Sequence, residues 1–221
     1  METYSHTIKV GNRTLKVRKW KAKDRKAFKK EIVKSEGNNS DVIITKNLVY
    51  NCLEDKNVAL TDEEVQYVFT QLRKLSVSET FKYTYKCMHC DYINEETLKI
   101  DDVSKPVFKE YTPIEVDGYK IELQDIKNKK FYDENKDRFD DSKELAFRVK
   151  SINGDMSKSF NELVDLFDDM DIDVFDKIYD QFQDMNFHID NTHECTCKNC
   201  GKTTPFEFDE IPGFLPDSWY K

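Results

Sequence analysis

Glycine is scarce in this chain, with six in 221 residues. So few glycines leave little room for a loop whose backbone cradles phosphate, and no such motif is present. Metalloprotease H-E-x-x-H and hydrolase G-x-S-x-G are missing too. His193-Glu194 stands beside cysteines, but the zinc-deaminase order, H-x-E followed later by P-C-x-x-C, does not occur. These absences remove the common catalytic constellations and lead us to expect a non-enzymatic protein. Long apolar runs are missing as well: nothing approaches the roughly 20 residues that span a bilayer. The opening METYSHTIKV has no apolar stretch fit for a signal peptide. A soluble intracellular product is therefore expected, and in a reducing cytosol six cysteines point to metal before disulfides.

What is present argues for a packed core. Hydrophobic residues make up 38% of the chain, with 15 Phe and 11 Tyr, and the 35% of charged residues are dispersed among them. Charge is nevertheless asymmetric. Residues 9–34 hold twelve Lys or Arg against two acids, a local net of +10 in a chain of net −8. Such a basic arm reads either as a solvated helix face or as an electrostatic contact for an acidic partner, for instance a neighbouring subunit.

Alternation on both sides of Gly11-Asn12 predicts a hairpin over 7–17. A short basic helix follows, stopped by Gly37 and the Asn pair after it. Residues 41–55 read as a helix capped by Asp41, with a strand as the alternative because of the β-branched start. Cys52 on that pattern reads as a buried thiol. In TDEEVQYVFTQLRKLS, Thr61 and Glu64 make a capping box, and Val65, Val68, Phe69, Leu72 and Leu75 recur at helical spacing. The period then changes to that of strands around Cys87-Met88-His89-Cys90, and Asp117-Gly118 marks a second hairpin over 113–123. After a polar stretch, Phe160, Leu163, Leu166 and Phe167, then Val174, Phe175, Ile178 and Phe182, form the apolar stripes of two helices with acidic outer faces. The closing residues carry Phe214, Trp219 and Tyr220 between prolines, an aromatic tail that docks on its own domain or on a neighbour.

The cysteines concentrate in YKCMHC and ECTCKNC. A Cys-x-x-Cys at a turn between strands supplies two thiolates from one knuckle, and two facing knuckles complete a tetrahedral zinc site. Both pairs have that setting, and Gly201 suits the turn after Cys200. The reading is one structural zinc held by Cys87, Cys90, Cys197 and Cys200, the long segment between being an excursion from a split zinc ribbon. Cys195 and His193 fall on the same side of the strand as Cys197, so either could replace a ligand. His89, inside the first knuckle, is expected to be exposed. A thioredoxin-like redox pair is disfavoured because strands, not a helix start, flank the motifs.

IKVGNRTLKVRKWKAKDRKAF near the start, YVFTQLRKLSVSETFKYTYKCMHC in the middle and CKNCGKTTPFEFDEIPGFLPDS at the close together resemble the T4-type bacteriophage baseplate hub family, its hub subunits and hub assembly proteins. The resemblance implies a non-enzymatic structural component or assembly factor of the central baseplate hub of a contractile tail. Its partners would be other tail and baseplate proteins, the tape-measure protein among the candidates, with homo-oligomers compatible. It would reside in the virion tail, and in the host cytoplasm during assembly, with no membrane and no nucleic acid as partner. The alternative from the residues alone is a zinc-ribbon nucleic-acid-binding protein, supported by the basic segment beside the knuckles and opposed by the acidic remainder.

The expected fold class is α+β: two helical regions with a small β part resembling a split zinc ribbon. Four segments are expected. Residues 1–79 hold the first hairpin, helices and basic arm, and 80–126 the first knuckle with β hairpins. Residues 127–190 are an acidic helical region, and 191–221 carry the second knuckle and aromatic tail.

Overall fold

The computed structural model describes residues 3–34, 40–207 and 215. It is α+β, with small antiparallel sheets among helices. The chain divides into two compact units. The first comprises the described residues of Met1–Lys56, Thr61–Val107 and His188–Lys221; the second comprises Asn57–Leu60 and Phe108–Phe187.

The first unit begins with the hairpin of β1 (His6–Val10) and β2 (Arg13–Val17). Gly11 takes φ +55 in its turn, where a Cβ would be strained. Ile8, Val10, Leu15 and Val17 alternate onto the buried face. Helices α1 (Ala22–Lys34) and α2 (Ser40–Cys52) follow, so the ambiguous 41–55 stretch is helical as far as Cys52, which is buried. Gly37 and the Asn pair, and the Asp41 side chain, lie outside what is described.

The Thr61 hydroxyl accepts from Glu64 N at 3.2 Å and the Glu64 carboxylate accepts from Thr61 N at 2.9 Å, the reciprocal capping box that starts α3 (Asp62–Ser76). Arg73, buried in the last turn of α3, donates to the carbonyls of Ser78 and Thr80. It thereby fixes the turn into β3 (Thr80–Lys86). β3 pairs with β4 (Ile93–Lys99), which runs into the short α4 (Ile100–Val103) and β5 (Lys105–Val107). The chain leaves after Val107 and returns at β9 (His188–Asp190), which pairs with β5 in the register Val107↔His188. The second hairpin, β10 (Thr192–Thr196) with β11 (Thr203–Glu207), completes the described part of the unit. Phe28, Ile44, Leu48, Phe81, Leu98 and Ile100 share a core with Leu215. The rest of the aromatic tail lies outside the described residues.

The second unit holds β6 (Ile114–Val116) and β7 (Tyr119–Leu123), turned at Asp117 and Gly118 with φ +46 and +87. Two left-handed positions in a row suit the right-handed twist of a two-residue hairpin. The third strand, β8 (Val149–Ile152), pairs with β7 and was not legible in the sequence. Neither was the order of the polar stretch. It forms α5 (Lys129–Asn135), a 3-10 turn and α6 (Asp141–Arg148), and clusters Phe131, Tyr132, Phe139, Phe147 and Phe160 as neighbouring rings. Helices α7 (Phe160–Asp168) and α8 (Ile172–Met185) bury Leu163, Phe167, Phe175, Ile178 and Phe182 against the sheet residues Ile114 and Ile121. Among the described residues no helix is long and apolar enough to cross a membrane.

Candidate metal centre

β3 and β4 are joined by one Cys-x-x-Cys turn, and β10 and β11 by the other. The two turns are built alike. Cys87 N donates to Tyr92 O at 2.8 Å and Asp91 N to Cys87 O at 3.0 Å; Cys197 N donates to Lys202 O at 2.9 Å and Gly201 N to Cys197 O at 2.9 Å. His89 N reaches the Cys87 sulfur, and Asn199 N the Cys197 sulfur, each at 3.4 Å. The residue after each second cysteine is left-handed, with φ +57 at Asp91 and +69 at Gly201. Glycine meets that demand without a Cβ, and aspartate is among the few side chains that tolerate it.

The fold brings the four sulfurs of Cys87, Cys90, Cys197 and Cys200 within 4.8 Å of one another. Cys87 Sγ lies 3.7 Å from Cys200 Sγ, and Cys90 Sγ 3.6 Å from Cys197 Sγ. Four thiolates about 2.3 Å from a tetrahedral zinc stand about 3.8 Å apart, and these two spacings match that edge. Cys87 and Cys197 are buried, Cys90 is half-buried and Cys200 is exposed.

Electrostatics favour a cation there. Burial works against ionising Cys197, but the N–H groups of Cys200 and Asn199 and the Asn94 amide outweigh it and bring the thiol down to about 6. The Asn199 amide, ahead of the Tyr92 backbone, holds Cys90 below its ordinary value. At Cys200 the Lys202 backbone favours the thiolate, yet burial and the three neighbouring sulfurs push it up to about 11. Donors thus invite negative charge while the sulfurs repel one another's ionisation, and a divalent cation would relieve that conflict.

Asn94 was not singled out by the sequence. It is fully buried, and its carbonyl oxygen accepts from Lys198 N at 2.9 Å while its amide donates to Cys197 Sγ at 3.6 Å and to Tyr92 O at 3.2 Å. One side chain therefore couples the two knuckles, and its neighbours in sequence give no sign of it. If the four sulfurs hold zinc, Asn94→Ala is expected to weaken its binding 10- to 100-fold, the usual effect of losing such an outer partner, as read by competition with a chromophoric chelator. An unchanged affinity would remove Asn94 from the site.

His193 and Cys195 do not join the four sulfurs. With Glu96 they form a separate group whose donor atoms lie within 4.8 Å of one another. Burial, and then the Glu96 carboxylate, pushes the Cys195 thiol up to about 11. His89 is exposed on the first knuckle, beside the exposed Met88.

The basic arm is only partly a solvent face. Arg18 and Asp24, counted within it, are both 3% exposed and joined by two bonds, 2.6 and 3.0 Å. Arg13 pairs with Glu64 of α3. Lys19, Lys21, Lys23, Arg25, Lys26 and Lys30 are exposed.

A family model described as "T4 bacteriophage base plate protein" matches residues 1–216 of the chain. No curated protein and no solved structure matches it.

Proposed function

Because the chain belongs to the T4 bacteriophage base plate protein family, we propose that it is a non-enzymatic component or assembly factor of the central baseplate hub of a contractile tail. The family carries a structural or assembly role in the baseplate of the virion tail, among other tail and baseplate proteins. The match over residues 1–216, nearly the whole chain, is the observation that carries this reading.

Within it, one structural zinc at Cys87, Cys90, Cys197 and Cys200 staples the two knuckle-bearing hairpins, an arrangement that supports the split-ribbon reading. The ion would hold the hairpins together and supply no reaction, since four protein thiolates leave it no open position. The exposed cations of α1 offer an acidic face on a neighbouring tail protein, the tape-measure protein or a second copy, a surface to meet during assembly in the host cytoplasm. The same cations are what a nucleic-acid-binding reading would use. Such binding would fall steeply with salt.

Quantitative mass spectrometry of purified phage particles tests the hub role. A small fixed copy number in keeping with threefold or sixfold symmetry is expected for a built-in component. Absence from particles, together with loss of tails when the gene is deleted, identifies an assembly factor. Normal tails without the protein would overturn both.

A further inference from the structure

The inward faces of β4 and β10 place donors at two successive levels. At the level nearer the knuckles, Asn94 meets Cys197. Two residues further along each strand, Glu96 meets Cys195, with His193 completing the group. Because side chains alternate along a strand, Asn94 and Glu96 share one face and His193, Cys195 and Cys197 another. The second level therefore repeats the logic of the first, with different donors.

We propose that Glu96, His193 and Cys195 form a second divalent-metal site, for zinc, distinct from the four-cysteine centre. The donor set is one thiolate, one imidazole and one carboxylate, the N/O/S mixture that zinc accepts. The three donor atoms lie within 4.8 Å of one another. Tetrahedral zinc with such ligands has edges of about 3.5 Å, shorter than the 4.8 Å within which these donor atoms already lie. The carboxylate is already oriented: Tyr85 Oη donates to Glu96 Oε1 at 2.9 Å. That hydrogen bond is the kind of outer partner that fixes a ligating carboxylate. Tyr85 is itself packed against Phe206 of β11, with ring centroids 4.9 Å apart, so its hydroxyl is held in place.

Cys195 is buried while Glu96 and His193 are half-buried, so the group opens to solvent on one side. Three protein ligands leave a fourth position for water. Binding converts the Cys195 thiol to a metal-bound thiolate and releases its proton to solvent; no electron is transferred. The ion would tie β4 to β10, strands of two separate sheets, at a second point below the knuckles.

Metal content of the full-length wild-type chain, expressed with zinc and measured by inductively coupled plasma mass spectrometry, is expected to be two ions per chain. It should fall to one in His193→Ala and in Cys195→Ser. Cobalt(II) titration separates the sites. Tetrathiolate coordination gives intense sulfur-to-cobalt charge transfer, and a second equivalent should add a weaker, single-thiolate band that both variants lack. Glu96→Gln preserves the shape and the acceptor for Tyr85, so it tests the ligand role if the other variants fail to fold; its second equivalent should bind at least tenfold more weakly. A wild-type chain that stops at one ion with a tetrathiolate spectrum would overturn the proposal, as would a second ion unaffected by all three substitutions. Absence of the tetrathiolate spectrum would instead sink the four-cysteine reading and leave this one to the single-thiolate band.

Discussion

Serine at Cys87 or Cys200 is expected to abolish the proposed zinc at the knuckles and to disorder both hairpins. Each substitution leaves three thiolates and a weak hydroxyl, and neither hairpin alone makes a stable unit in water. Structural zinc in small domains contributes on the order of 10 kcal/mol of apparent folding free energy, so removing it should exceed any single change in packing. The loss should fall on the first unit. The second unit keeps its own core of Phe167, Ile178, Phe182 and Ile121, which contains no cysteine. Hydrogen exchange with and without a chelator measures this directly. Amides of β3, β4, β10 and β11 should lose protection on chelation, while those of α7 and α8 should hold theirs. Equal protection in both conditions would mean that the four sulfurs pack as a metal-free cluster.

Replacing Asp24 by Asn should lower stability by about 3 kcal/mol or more. Its carboxylate is the counter-ion of Arg18, both side chains are 3% exposed, and it also accepts from Lys21 N at 2.7 Å. Arg18 keeps its bonds to Lys19 O and Asn51 O in the variant, but its charge would lie buried and uncompensated. The double change Arg18→Met with Asp24→Leu should be milder, because no lone charge remains.

Burial opposes ionisation of Asp24, yet the hydrogen bonds from Arg18 and Lys21 outweigh it and hold the carboxyl below its ordinary value. A depressed folded pKa stabilises above the unfolded value, about 3.9, and that contribution is lost as pH falls through the lower folded value. The gap between wild type and Asp24→Asn in urea unfolding should therefore be full at neutral pH and close progressively below about pH 4. A gap under 1 kcal/mol at pH 7 would show that water reaches the pair.

Elements defined by contacts a few residues long were readable in advance. The 7–17 hairpin, the Thr61 capping box and the stripes of α7 and α8 each rest on spacing within one segment. β8 was missed because its pattern, VKSI, is short and its partner β7 lies more than twenty residues away. β5 was missed for the same reason, its partner β9 being on the far side of the excursion. The stretch around Phe131, Tyr132, Phe139 and Phe147 looked polar because its aromatics are interleaved with charges. Those rings find one another only after α5 and α6 have formed. In the basic arm, summed charge concealed Arg18 and Asp24, which neutralise each other inside.

By itself the sequence determined the α+β class, the local hairpins and helices, and the two Cys-x-x-Cys motifs in strand–turn–strand settings. Those features follow from φ/ψ preferences and from the periods of side chains along one chain segment. Tertiary structure alone decided that His193 and Cys195 stay out of the four-sulfur group the sequence suggested, joining Glu96 instead, and that Asn94 lies between the knuckles. Residues about a hundred positions apart come within a few ångströms only because two hairpins pack by their inward faces. That packing is set by the burial of the whole unit and is written in no local motif.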